Sequence, residues 1–295
     1  MTIESQNSEV IRVFASGGMS NQIFQFAFSV FLREELKLKS EFLNLKVVRR
    51  DPHANFDLIP FVDDKSFLSG SKSNYIKYIS YAIDPWHSFR IHRVWGQRFD
   101  FRFDHTVSPS SLPKFSSKSH VVGYFQNYEF VSKVRGIVLQ ILTKVAQKPI
   151  NSVFDNSDYE AIHIRGGDFL KPNNRNVIGS LSPDYYNSLL PKKSNLPRVV
   201  ITDDLNHAQI ILKEVNVDMY IDSSNYNFRE SLFILGNARR IYTSNSTYSW
   251  LGGFLGSETI QAEVVQPLPF FKSIKLNYGE KLKNPRFGNF PARWG

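Results

Sequence analysis

With 295 residues, 42% of them hydrophobic, the chain has material for one large domain or two medium ones and a full core. It contains no cysteine, which excludes disulfides and cysteine-ligated metal sites and fits a reducing compartment such as a bacterial cytoplasm. A formal charge of +9 and a pI near 9.5 favour anionic partners: nucleotides, nucleic acid or a phospholipid face.

The opening MTIESQNSEV lacks the apolar core of a signal peptide. No apolar run approaches the roughly 20 residues of a membrane span, so a soluble, cytoplasmic protein is expected. Residues 11–15 (IRVFA) read as a short buried strand, SGGMSN as a tight glycine loop, and QIFQFAFSVFLREEL as an apolar helix. A strand feeding a glycine turn feeding a helix opens many nucleotide-binding folds. The loop is neither a Walker loop nor GxGxxG, yet it places Asn21 and Gln22 at a helix start beside the close-approach pair Gly17-Gly18. Residues 50–120 show weak periodicity and no elements are assigned there. Within them His87–Arg102 mixes Arg and His with Trp and Phe, a pattern open to two readings, a packed aromatic patch or an acceptor- or membrane-facing surface. Residues 119–126 (SHVVGYFQ) read as a strand ending in a loop, and 130–146 as one helix linking two halves.

Strands are expected at 160–164 (EAIHI), 198–201 (RVVI), 219–221 (MYI), 240–242 (RIY) and 260–265 (IQAEVV). Helices are expected from Ser182-Pro183 onward and at 206–214, 228–235 and 248–255. This alternation predicts a parallel sheet covered on both faces, one Rossmann-like domain at 149–266. Residues 1–148 form the other domain, with the Pro- and Gly-punctuated tail 267–295 packing back on it.

HIRGGD ends the 160–164 strand. Alternation puts His163 and Arg165 on one face, and an Arg at the carboxyl end of a parallel strand stands where open α/β sheets bind ligands. Its planar fork suits a diphosphate, and an Arg165–Asp168 ion pair closing a structural turn fits equally. Thr243-Ser244-Asn245-Ser246-Thr247 sets hydroxyls and amides at a helix start, which reads as a phosphate site or as plain capping. Asp203 reads as the cap of the next helix or a polar contact to a nucleotide, in preference to a metal ligand. Glu230 reads as a ribose contact or a partner of the helix dipole. The chain has no HExxH, no His pair at ligand spacing and no GxSxG elbow, so metalloenzyme and hydrolase readings lose ground.

Five segments, in order, resemble glycosyltransferase family 11, the α-1,2-fucosyltransferases. SGGMSNQIFQFAFS is similar to that family's GG-L-GNQ-F-QYAFA, GYFQNYEFV to its GYFQ, HIRGGDF to HVRRGDY, ITDD to SDD, and SNSTYSWLGGFLG to NSSFSWWGAWL. The matches run from residue 16 to 256, about four-fifths of the chain. The resemblance implies a GT-B architecture, two Rossmann-like domains facing across a cleft. It implies inverting transfer of L-fucose from GDP-β-L-fucose to the 2-hydroxyl of a galactose-type acceptor, with no metal or other cofactor. It further implies a bacterial O-antigen or capsule role on an oligosaccharide or lipid-linked acceptor. A peripheral contact at the inner face of the membrane is expected, and no nucleic-acid partner, because the charge lacks a stripe. Position by position, Arg165 matches the arginine that neutralises the departing β-phosphate, and His163 and Asp168 its flanking residues. The general base is open: Asp168 and His163 are candidates, and an acid from residues 50–120 equally so. Ser246 and Thr247 match the Ser pair near the pyrophosphate, and Asn21 the Asn facing the reaction centre. Asn245, Asp203, Glu230 and Gly18 join the donor site. The sequence departs from the pattern at Gly166, where the family has a second arginine, at Ser20 in place of a glycine, and at Leu251 in place of the second Trp.

Overall fold

A computed structural model describes residues 10–15, 17–44, 58–65, 93–94, 97–101, 108–112, 120–150, 154, 156–277 and 280–295. The chain divides into two compact units, Met1–Val138 and Leu139–Gly295.

In the first unit, β1 (Val10–Ala15) leads through Gly17 into α1 (Met19–Glu34). The helix starts ahead of the expected Gln22 because Gly18, in extended backbone, serves as its N-cap. Gly17 sits at φ +75, and a Cβ there would lie 2.7 Å from Asn21 Nδ2, so the turn requires glycine. Every α1 residue from Gln22 to Leu32 is buried, as an all-round apolar helix must be. Phe28 stacks on Phe125 with centroids 3.9 Å apart and meets Phe130 edge-on at 5.0 Å.

β2 (Lys39–Asn44), β3 (Arg93–Val94), β4 (Gln97–Phe101) and β5 (His120–Val122) complete a sheet in the order β2-β1-β5-β4-β3. All its pairings are parallel except β3 with β4. Apart from these two short strands, the His87–Arg102 stretch lies outside the described residues. The helix expected at 130–146 is two, α2 (Tyr128–Lys133) and α3 (Arg135–Val145), because Val134 leaves helical geometry at φ −117, ψ 28. The division between units falls inside α3, ahead of the expected boundary at 148/149.

The second unit is a wholly parallel sheet in the order β11-β10-β9-β6-β7-β8. Its strands are β6 (Glu160–Ile164), β7 (Arg198–Thr202), β8 (Met219–Ile221), β9 (Arg240–Tyr242), β10 (Glu263–Leu268) and β11 (Gly288–Pro291). Its helices are α4 (Pro172–Val177), α5 (Pro183–Leu189), α6 (Leu205–Ile211), α7 (Phe228–Gly236) and α8 (Thr247–Thr259). β6 and β7 are buried at every position, so their apolar residues do not alternate with exposed ones, and their polar side chains, Glu160, His163, Arg198 and Thr202, are each hydrogen-bonded. Ser182 caps α5 through its hydroxyl, with Pro183 at the first helical position. α7 and α8 approach through glycines: a Cβ on Gly256 would come within 2.8 Å of the Gly236 carbonyl.

The tail corrects an expectation. Instead of packing back on the first domain, residues 280–295 complete the second unit. β11 hydrogen-bonds the free edge of β10, Trp250 Nε1 donates to the Leu282 carbonyl at 2.7 Å, and Trp294 bridges to Leu181. The cause is an unpaired parallel edge on β10 and the aromatic side chains of Phe287, Phe290 and Trp294, which bury against that unit's core. At the amino ends of the strands Glu160, fully buried, accepts from Arg198 Nε at 3.0 Å and Arg240 Nη1 at 2.6 Å. Arg198 also donates to the Pro191 carbonyl.

Candidate functional site

Chain order runs β6, β7, β8 to one side and then returns to β9, β10, β11 on the other. The direction therefore reverses between β6 and β9, and open parallel sheets bind ligands beyond the carboxyl ends of strands at such a reversal. Pairing of β6 with β9 stops at Ile162↔Tyr242, whereas β6 stays paired with β7 as far as Ile164↔Thr202. Thr243 turns its amide to the Val265 carbonyl on β10. The two central strands thus part at their tips.

One side-chain contact spans that opening. His163 Nδ1 lies 2.8 Å from Ser244 Oγ, both buried. The Ser249 hydroxyl in turn donates to the carbonyls of Ser244 and Ser246, tying the turn to the first turn of α8. The Tyr248 ring stands 5.6 Å from the imidazole. Burial, with the Arg165 charge adding to it, pushes His163 down to about 3. The imidazole is therefore neutral at working pH and a weak base. The unfolded chain protonates His163 near its ordinary value of about 6.5. Stability contributed by the neutral form is thus present above that pH and declines as the pH falls toward about 3. Replacing His163 by Asn flattens this part of an unfolding-versus-pH curve; a curve unchanged by the substitution would contradict the assignment.

Arg165, at the tip of β6, is gripped from two sides: Nη2 donates to Asp168 Oδ1 at 2.5 Å, and Nη1 lies 3.0 Å from Asp203 Oδ2. Its Nε is buried without a partner. The second carboxylate oxygen of Asp203 accepts the Gly166 amide at 2.8 Å. Asp203 thus orders the Arg165 loop and does not cap α6. The cap is Asp204, whose Oδ1 accepts from the His207 amide at 3.0 Å. The glycines make room for these carboxylates. A Cβ on Gly167, at φ +43, would lie 2.5 Å from Asp203 Oδ2, and one on Gly166 would lie 2.6 Å from Asp204 Cβ.

The departure at Gly166 thus has a steric reason. Restoring an arginine there (Gly166→Arg) is expected to lower stability by about 1–3 kcal/mol, since Asp204 cannot yield without uncapping α6. Urea unfolding of the variant measures it, and an unchanged midpoint would mean that the loop adapts.

Ser246 is the N-cap of α8, its Oγ accepting the Tyr248 amide at 3.3 Å, and Thr247 is the first helical residue. Asn245 points elsewhere than expected: its Nδ2 donates to the carbonyls of Ile178 and Gly179, bracing the loop before α5. Glu230 forms a capping box with Asn227, so its Oε2 is engaged with the backbone of its own helix. α7 nonetheless adjoins the site, because Tyr248 Oη donates to the Phe228 carbonyl at 2.8 Å. Asn21 and Gly18 belong to the first unit, where Asn21 Oδ1 accepts from Gln126 Nε2 at 3.0 Å. Arg165, Asp168 and Asp203 are thus assembled in one cluster, and His163 is joined to the 243–247 turn. Sequence reasoning does not single out Ser244 and Ser249; the only signal for them is the hydroxyl-rich run itself. Among the described residues no three His, Asp or Glu side chains group as metal ligands. Nor is any helix among them long and apolar enough to cross a membrane.

Arg165 and the capped start of α8 thus follow the two strands that part, in a parallel α/β sheet. The family model for glycosyl transferase family 11 matches residues 4–269, and the chain belongs to that family. It is therefore a glycosyltransferase, built of two units that each carry a mostly or wholly parallel sheet. It is 22% identical over 296 residues to an alpha-1,2-colitosyltransferase of Escherichia coli, covering 95% of this chain and 96% of that protein. Similarity to the O-antigen biosynthesis glycosyltransferase WbnK of Escherichia coli is also 22%, over 272 residues, covering 82% and 89%. Among solved structures, a mutant of Arabidopsis thaliana FUT1 in complex with GDP matches at TM-score 0.45 and 10% identity, covering 90% of this chain and 72% of that one.

Proposed function

We propose that the protein transfers L-fucose, or a closely related deoxyhexose, from its GDP-sugar to the 2-hydroxyl of a galactose-type residue, with inversion and without a metal. The observation that carries this reading is the placement of Arg165 and the Ser246-capped start of α8 on neighbouring strand tips at the β6/β9 opening. Family membership and the O-antigen and colitosyl relatives support the reaction class and a role in building a bacterial surface glycan.

Charge grows on the departing diphosphate as the anomeric bond breaks. The Arg165 guanidinium and the amides opening α8 are preorganised donors for that charge. Arg165 retains donor capacity for a phosphate, since Asp168 takes one hydrogen of Nη2 and Asp203 pairs with Nη1, which leaves further Nη hydrogens. Of the two base candidates beside Arg165, Asp168 fits better than His163; most of residues 50–120, the other source of a base, lie outside the described residues. Asp168 is a third exposed, whereas His163 is buried and held by Ser244. His163 then acts as a positioning residue through Nδ1. Asn places a polar atom where Nδ1 lies and Gln where Nε2 lies. His163→Asn should keep kcat within about tenfold, while His163→Gln loses the contact at a cost of about 1–3 kcal/mol in transition-state stabilisation. Equal loss in both variants would return the base role to His163.

The deciding measurement is a melting-temperature screen against GDP, ADP and UDP. At about 100 times its dissociation constant GDP adds about 2.7 kcal/mol of stability, and ADP and UDP add little. Absence of a GDP shift would remove the donor assignment. Turnover of GDP-fucose against GDP-colitose, with the product linkage mapped by NMR, then fixes donor and linkage.

A further inference from the structure

Two segments of the second unit form a cationic, aliphatic surface beside the site. Residues 171–178 (KPNNRNVI) and 271–277 (FKSIKLN) hold Lys171, Arg175, Lys272 and Lys275 and contain no acid. They are joined into one face, since Lys272 N donates to the Ile178 carbonyl and Ser273 N to the Val177 carbonyl, each at 2.9 Å. None of the four cations has an ion-pair partner among the described residues. Between them stand Ile274, 87% exposed, and Val177, 39% exposed. The exposure of Ile274 is enforced. Asn277 Nδ2 donates to the carbonyls of Phe271 and Ser273, and its Oδ1 accepts the Phe271 amide at 2.9 Å, closing the loop under the isoleucine.

We infer that this face docks the protein on an anionic lipid bilayer, with Ile274 entering the headgroup–acyl boundary and the lysines meeting lipid phosphates. The residues from 271 to 295 strengthen the field, with six Lys and Arg against Glu280 alone, a net +5 within a chain of +9. A braced aliphatic tip between lysines is what an interfacial contact needs. Nucleic acid fits less well, because the face offers no exposed aromatic ring for a base. The face is wired to the candidate site: Asn174 Nδ2 donates to the Asp168 carbonyl and Asn245 Nδ2 to those of Ile178 and Gly179. A bilayer here would bring a lipid-borne acceptor to the Arg165 loop. That purpose rests on the donor-site reading, while the docking itself does not.

The test is flotation of the full chain with vesicles of phosphatidylglycerol and phosphatidylethanolamine, or of phosphatidylcholine alone. GDP-induced melting shifts and transfer to a soluble acceptor are measured in the same preparations. The protein should float with the anionic vesicles only. Each charge lost weakens partitioning about fivefold, so Lys272→Glu with Lys275→Glu reduces it by at least about 25-fold. Ile274→Ser, which leaves charge unchanged, should weaken it several-fold, with GDP shift and soluble-acceptor turnover intact in all variants. Wild type that ignores anionic vesicles overturns the inference. So does Ile274→Ser that floats like wild type, or RNA that captures the protein and is indifferent to Ile274. A protein that floats as expected but shows no GDP shift keeps the docking face and loses the donor reading.

Discussion

Lysine in place of Arg165 should lower kcat/KM for transfer by about 10²–10³-fold while leaving the fold intact. The magnitude is that of removing one preorganised donor aimed at developing charge. Lysine keeps the charge, but its single ammonium cannot span Asp168 and Asp203, on opposite sides of the guanidinium, while also facing a phosphate. All three side chains are partly exposed, so the ion pairs themselves add at most about 1 kcal/mol of stability. Circular dichroism melting should therefore change little, and the loss should appear in initial rates. A lysine variant within threefold of wild type would remove Arg165 from the mechanism.

The second large effect concerns stability alone. Glu160→Ala should lower the unfolding free energy by about 3–5 kcal/mol, because it strands the almost fully buried guanidinium of Arg198. Glu160 is also the acceptor for Arg240, which retains Glu263 as a surface partner at 2.8 Å. Among the described residues the Arg198 guanidinium then keeps only the Pro191 carbonyl as a hydrogen-bond partner. Glu160→Gln preserves an acceptor and should cost less than the alanine change. Urea titration with intrinsic fluorescence separates the two, and a loss under about 1 kcal/mol for the alanine variant would show that the buried pair had been balanced by its own desolvation.

Local pattern makes much of this fold legible. β1, its glycine turn and α1 announce themselves by a buried run, a glycine pair and an apolar helix, all within the first 34 residues. Strands β6 to β10 of the second sheet are marked by short apolar stretches, although β10 begins at Glu263 because Ile260 ends α8 and Gln261 turns at φ +58. What local pattern does not carry is non-local. Asp203 reaches Arg165 and Gly166 from the tip of a different strand, so a short-range view makes it a helix cap. Its neighbour Asp204 does that work, one residue away and indistinguishable by type. Asn245 sits in a run that suggests phosphate binding, yet its amide is spent on the carbonyls of 178 and 179, a partner no spacing rule indicates. The tail offers prolines and glycines but no periodicity. The open edge of β10, together with the burial of Phe287, Phe290 and Trp294, explains why it becomes a strand.

That last strand bears on how far the chain can be cut short. β10 pairs with β9 along one edge and with β11 along the other, and β11 follows it after about twenty residues. Leu282 and Phe287, in that interval, seat beside Trp250. A chain truncated before residue 282 therefore carries a bare parallel edge and a greasy hollow together, the pair of features that recruits chaperones or other chains.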